Sequence, residues 1–279
     1  MPTVALILGM HRSGTSVTAR ALNLLGYSLP KKLIPADETN ETGHWESRPL
    51  ALFNDKLLAT LGSSWDDWRG LTPDALAQIC TSENIQNALD LLLKEFGEVS
   101  SCVVKDPRIC RIAPFWFRVF NEYFEKTSVV IPFRNPIDVA ESLLRRNNIS
   151  FGYGVLMWLR HVLDAERYSR GRDRVFIRYE DIISKKSTIF IDIIDPCVDP
   201  HDFELAKNSI DSFVSSRYRH HRNSNEVDYI QRHTNSWVAE VHEILSNWAL
   251  GGINNNEIDI LDKIRDEFYE AECLYRQIC

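Results

Sequence analysis

Apolar positions along the chain follow two rhythms. Val4 to Leu8 is a continuous apolar run that stops at Gly9, and it predicts a buried strand over residues 3–8. A helix from about Gly14 to Leu25 follows the glycine-bounded loop. Residues 27–47 are polar, carry two prolines and one glycine, and predict a long functional loop. Leu50, Phe53, Leu57, Leu58 and Leu61 then recur at helical spacing and predict a helix over Arg48–Leu61. The string WDDWRG (65–70) is a turn, and a helix starts behind Pro73 and continues, with or without a break, to Phe96.

From there short apolar runs alternate with helical patterns. Strands are expected over Cys102–Val104, Ser128–Phe133 and Val175–Tyr179. Between them lie helices over Ile112–Phe124, Pro136–Arg145 and residues 153–169, with Pro136 in a first turn, where its missing N–H is no loss. Such alternation predicts a parallel sheet covered on both faces. The last hundred residues read as mainly helical. There Ile260, Leu261, Ile264, Phe268, Leu274, Tyr275 and Ile278 form one apolar stripe, expected to be core.

Bulk composition narrows the picture. A chain of 279 residues with 44% hydrophobic and 25% charged residues can bury a proper core. The net charge of −7 gives no global field for nucleic acid, so any anion must be held by a local site. The Val4–Leu8 run is too short for a signal-peptide core or a membrane span. Six cysteines without a CxxC pair or a metal-like pairing with histidine suit reduced thiols in a cytoplasmic protein.

Chemistry first shows in the turn after the opening strand. Gly9 to Ser16 has the GxxxxG skeleton of a P-loop, in which glycines let the backbone wrap an anion at a helix N-terminus. A Walker loop continues with Gly-Lys-Ser/Thr, but here Thr15 holds the lysine position and Arg12 is the basic side chain. The expected fold is therefore α/β: a P-loop NTPase-like central parallel sheet of four to five strands flanked by helices, with a helical C-terminal part. One domain over 1–279 is expected, its motif-bearing core at about 3–180 and a helical extension at about 181–279. A second anion motif follows the strand ending at Phe133. There Arg134 offers a planar fork of donors, and Ser142, eight residues on in the next helix, adds a hydroxyl.

HRSGTS, residues 11–16, resembles the loop with which sulfotransferases dependent on 3′-phosphoadenosine 5′-phosphosulfate (PAPS) hold the 5′-phosphosulfate. Arg134 to Ser142 resembles that family's 3′-phosphate motif, RNPxDVxxS, and Tyr179-Glu-Asp181 its YED motif near the adenine. The resemblance covers about residues 3–180. It implies that Arg12 contacts the phosphosulfate and that Ser13, Gly14, Thr15 and Ser16 serve the 5′-phosphate. It also implies that Arg134 and Ser142 read the 3′-phosphate and that Tyr179 touches the base. Within the family the chain is most similar to carbohydrate and tyrosylprotein enzymes, especially bacterial ones in which HRSGTS precedes an Asn-x-x-Gly-x-x-Glu stretch, here Asn40 to Glu46. That similarity implies Glu46 as the general base, a hydroxyl-bearing acceptor that is a carbohydrate, and no metal, since basic side chains supply the positive charge.

Alternatives stand beside these assignments. His44 and His11 are the other candidate bases, and Glu46 is also placed to cap the helix from residue 48. Lys105-Asp-Pro-Arg108 is similar to a tyrosylprotein sulfotransferase motif, which implies that Lys105 faces the transferring group and Arg108 lines the cleft. Asp106 and Arg108 are equally able to hold a turn. His44 and Trp65 are expected on the acceptor side, Trp65 and Trp68 as sugar-stacking rings or as core. The basic cluster Arg217 to Arg222 reads as a solvated loop or as a cover over the donor. Two rival functions remain, a P-loop kinase for a small molecule and a catalytically silent nucleotide-binding module. Oligomeric state is not legible.

Overall fold

The computed structural model describes residues 2–37, 40, 43–191, 203–214 and 226–278. Strand β1 (Thr3–Ile7) leads into α1 (Thr15–Leu24), the long loop, then α2 (Arg48–Thr60), α3 (Pro73–Ile79) and α4 (Ser82–Phe96). Next come β2 (Ser101–Lys105), α5 (Ile109–Tyr123), β3 (Lys126–Phe133), α6 (Pro136–Asn147), α7 (Phe151–Tyr168) and β4 (Arg174–Arg178). Helices α8 (Tyr179–Lys185), α9 (Thr188–Ile191), α10 (Phe203–Val214), α11 (Glu226–His233), α12 (Ser236–Gly251) and α13 (Ile258–Ile278) complete the order.

The four strands form one parallel sheet in the order β2-β1-β3-β4. This is the α/β, P-loop-like architecture expected from the strand–helix alternation. Its strands are apolar on both faces because both are covered. Val4, Leu6 and Leu8 enter one core with α5, α7 and α12, while Ala5 and Ile7 enter the other with α1 and α8. Ser28 adds a single bridge to Cys102, so the outbound arm of the long loop starts along the β2 edge. Ile7 pairs with Lys105 and with Val130, which brings the C-terminal ends of β1 and β2 level. Strand order reverses at β1/β3, and in open α/β sheets ligands bind at such a carboxyl edge.

Caps resolve what periodicity left open. Ser47 Oγ accepts from Leu50 N at 3.2 Å and starts α2, so Ser47 is the cap and Glu46 is not. The pattern after Pro73 is two helices, because Thr81 turns extended and caps α4 through Asn84 N at 3.1 Å. Helix α5 begins at Ile109, three residues before its expected start, and bends at Ile112, just before Pro114. The C-terminal stripe is only partly core. Leu261, Ile264 and Phe268 are buried, whereas Ile260 and Leu274 are 36% and 62% exposed because they lie off the line those three define. The side chains of Tyr275 and Ile278 fall outside the described set.

The WDDWRG turn is held from below by Arg111, which is fully buried. Its Nε donates to Asp164 Oδ2 at 2.9 Å, and its other nitrogens donate to the carbonyls of Asp67 and Arg69. Trp68 stacks on Phe268 at 5.7 Å between ring centres and packs, partly buried, against the core. Gly70 is closely packed: a Cβ there would stand 3.1 Å from the Tyr269 ring and 3.3 Å from Glu272, whose carboxylate accepts Gly70 N at 2.6 Å.

Candidate active site

The loop after β1 is tightly packed, which explains its glycines. A Cβ at Gly9 would lie 2.7 Å from Thr15 Cγ2 and 2.8 Å from the Pro132 carbonyl. Gly14 stands at φ 90, a left-handed conformation, with the Tyr179 ring where a Cβ would be, 2.8 Å away. Arg12 takes φ 70 without a glycine's freedom, a strained backbone of the kind that clusters at functional sites. The amides of the first turn of α1, at Thr15 and Ser16, point out of the helix start as anion donors. Ser13 is fully buried and its Oγ has no hydrogen-bond partner among the described residues.

The second motif meets the first. Arg12 Nε donates to Ser142 Oγ at 2.8 Å, across 130 residues of sequence. Arg134, just past β3, is anchored by Asp138 Oδ2 at 2.8 Å, and its guanidinium lies 4.4 Å above the Tyr179 ring. Trp158 Nε1 donates to the Arg134 carbonyl at 2.9 Å and fixes the strand end. Arg12, Gly14, Arg134, Ser142 and Tyr179 are thus one cluster at the β1/β3 edge. Tyr179 is 7% exposed, packed beside Gly14 and under Arg134.

On the β2 side the long loop folds back over the start of α1. Ile34 N donates to the Glu46 carbonyl at 2.8 Å and Arg48 N to the Lys32 carbonyl at 2.9 Å, pinning the loop's two arms together. Lys105, the last residue of β2, reaches from the sheet edge to Glu46 Oε1, to the His44 carbonyl at 3.0 Å and to Ser16 Oγ at 3.3 Å. Both charged residues are buried, at 5% and 6% exposure. Glu46 Oε2 forms an ion pair with Arg108 at 3.9 Å, beyond hydrogen-bond reach, and accepts no hydrogen bond among the described residues. Arg108 is held by Asp55 at 2.6 Å and Asp106 at 3.0 Å; burial opposes its charge, and these two carboxylates keep its pKa raised. Asp106 also accepts Arg108 N at 3.0 Å, so the turn-holding role is real. His44 enters differently from expectation. Its carbonyl faces Ser16 and Lys105, while its imidazole turns away onto Asp37 at 3.0 Å.

His11 lies beside this group, edge-on to Trp65 at 5.0 Å and to His161 at 6.3 Å. Burial, with Arg108 and other cations nearby, holds it neutral well below the usual histidine range. His161 is fully buried, and burial with the Arg111 charge pushes its pKa from 6.5 to about 3. A neutral buried histidine contributes stability above pH 6.5 that is lost as pH falls from there toward 3. At pH 5 the loss is about 2 kcal/mol. Urea unfolding at pH 7 and pH 5 should show a drop of at least that size, since His11 and His242 are also held neutral, and His161→Leu should narrow it by the His161 share. An unchanged gap in the variant would assign the acid sensitivity elsewhere.

No protein-family model matches the chain, and no curated protein matches it. A solved structure is similar to it: the sulfotransferase domain of the Synechococcus PCC 7002 olefin synthase, at 17% sequence identity and a TM-score of 0.43, over 83% of this chain and 94% of that one.

The donor set suits a polyanion: Arg12, Arg134, Lys105 and the first-turn amides of α1 border one edge, with the Glu46 carboxylate beside them. Among the described residues no group of three or more His, Cys, Asp or Glu is arranged to hold a metal. No described helix is long and apolar enough to cross a membrane. The basic cluster at 217–222 lies outside the described residues. Sequence reading missed Asn54 and Asp55. Asn54 is fully buried and bridges Asp106 Oδ2 at 2.9 Å to Trp116 Nε1 at 2.8 Å, while Asp55 holds Arg108. The signal was there, since Asn54 is a polar residue inside the apolar register of Leu50, Leu57 and Leu58.

Proposed function

We propose that this chain is a sulfotransferase that moves a sulfuryl group from PAPS to an acceptor hydroxyl on a carbohydrate. The observation that carries the reading is the Arg12–Ser142 hydrogen bond at the β1/β3 edge. It joins the loop suited to a 5′-phosphosulfate to the motif suited to a 3′-phosphate, a pairing that a nucleotide with a single phosphate chain does not need. PAPS supplies a sulfuryl group already activated for transfer.

In this reading the first-turn amides of α1, with Thr15 and Ser16, hold the 5′-phosphate, and Arg12 balances charge on the departing oxygen. Gly14 keeps the loop close and Ser13 shapes it from within. Arg134 and Ser142 read the 3′-phosphate, and Tyr179 borders the adenine through its ring edge. Glu46 takes the acceptor proton on Oε2, while Lys105 fixes Oε1 and faces the transferring group. Arg108 and Trp65 border the acceptor, and the His44 carbonyl orients Lys105. Neutral His11 is the second candidate base; its Nε2 is buried without a hydrogen-bond partner among the described residues, and its ring lies edge-on to Trp65. The free thiols of Cys80, Cys102, Cys110 and Cys273 fit a reducing, cytoplasmic location.

Transfer of radiolabelled sulfate from PAPS to a panel of oligosaccharides tests the reading. Because side chains carry the positive charge, activity should persist in excess EDTA. Magnesium-dependent phosphoryl transfer from ATP, with none from PAPS, would point to a kinase instead.

A further inference from the structure

The Trp65–Gly70 segment touches His11 at one end; at the other, Gly70 borders a cavity of about 620 Å³ between α3, α5, α7 and α13. That volume falls in the range of small-molecule sites, about 300–1,000 Å³. One wall is apolar: Leu71, Leu76 and Ala77 on and before α3, and Pro114 at the bend of α5. Facing it are Arg118 on α5, Arg167 and Tyr168 on α7, and Tyr269 on α13.

The polar groups of this cavity divide unevenly. Arg160 is committed to the Trp68 carbonyl at 3.0 Å and Glu272 at 3.2 Å, and Arg265 to Asp262 at 2.6 Å and Asp266 at 3.5 Å. Asp164 is taken by Arg111. That leaves the guanidiniums of Arg118 and Arg167 and the hydroxyls of Tyr168 and Tyr269, none with a hydrogen bond or ion pair among the described residues. Burial raises the Tyr168 pKa, so its hydroxyl stays a donor. Against these four donors stands one uncommitted carboxylate, Glu270 on the rim of α13. An excess of donors beside an apolar wall selects a ligand with one negative end and one greasy end.

We propose that this cavity binds a small amphipathic anion, an acyl or aryl chain ending in one carboxylate or sulfonate. Its body lies along Leu71, Leu76 and Pro114, and its head sits between Arg118 and Arg167. Nothing in this proposal depends on the transfer chemistry.

The test titrates the full chain with decanoate below its micellar concentration, by calorimetry, with 1-decanol and decylamine as neutral and cationic controls. Decanoate should bind saturably and at least tenfold more tightly than either control. The Arg118→Ala/Arg167→Ala variant, altered at two exposed positions, should lose tenfold or more in decanoate affinity while keeping its melting temperature. Ala77→Trp, on the exposed side of the apolar wall, should block binding by filling the cavity. Absent saturable binding, equal affinity for the controls, or decanoate affinity unchanged in both variants would overturn the proposal.

Discussion

Glu46→Gln is expected to lower sulfuryl transfer by ~10²–10⁴-fold, the usual worth of a positioned general base. The substitution keeps the size of the side chain and an amide oxygen for Lys105, yet removes the carboxylate oxygen that faces Arg108 without a hydrogen bond. Affinity for 3′-phosphoadenosine 5′-phosphate should change by no more than a few-fold, because the phosphate contacts proposed for Arg12, Arg134 and Ser142 are untouched. Stability will move as well. Glu46 and Lys105 are a buried pair, and breaking such a pair from one side costs about 3–5 kcal/mol. A lowered melting temperature in the single variant is therefore ambiguous by itself. The double variant Glu46→Gln/Lys105→Met removes the orphaned charge and should recover most of that stability while remaining inactive. Turnover that returns with stability would show the pair to be structural, and His11 would be the base to test next.

Legibility of this site in the sequence falls with distance along the chain. Local patterns gave the strands, because a sheet covered on both faces demands uninterrupted apolar runs such as Val4–Leu8. They also gave the two candidate anion motifs, each confined to one turn and the helix after it. What they did not give is the meeting of those motifs. The Arg12–Ser142 hydrogen bond follows from a strand order that sets β1 beside β3, a long-range choice with no short-range signature. Glu46 illustrates the same limit. Its position before α2 permitted a capping role, and only the Ser47 hydroxyl on Leu50 N shows which residue caps. His44 and Trp68 are side-chain orientations, decided by Asp37 within the same long loop and by Phe268, two hundred residues further on. Asn54 was the exception, a readable anomaly in a helical stripe.

In the proposed reading, that same sheet edge would divide the site into a donor side and a transfer side. The β1/β3 junction gathers Arg12, Ser142, Arg134 and Tyr179, while the β1/β2 junction gathers Ser16, Lys105, Glu46 and Arg108. Helix α1 starts between them, and Ser16 belongs to both groups through its position in that first turn. A substitution on one side should therefore be felt mainly in nucleotide binding, and on the other mainly in turnover.

The nucleotide side yields the sharpest binding prediction. The wild-type chain should bind 3′-phosphoadenosine 5′-phosphate roughly ten- to a hundredfold more tightly than AMP, the equivalent of about 1.5–3 kcal/mol for charge-assisted hydrogen bonds to one added phosphate. Arg134 is already oriented for that role: Asp138 holds its fork, the Tyr179 ring lies beneath it, and Trp158 fixes its carbonyl, so little side-chain freedom is lost on binding. Arg134→Ala should pull bisphosphate affinity down to that of AMP and leave AMP affinity nearly unchanged. Ser142→Ala should have a smaller effect, since it removes one hydroxyl and frees Arg12 Nε to approach the ligand itself. Calorimetry with the two nucleotides on the three proteins gives the comparison directly. Equal wild-type affinity for AMP and the bisphosphate would remove the 3′-phosphate site, and with it the strongest reason to read PAPS as the donor.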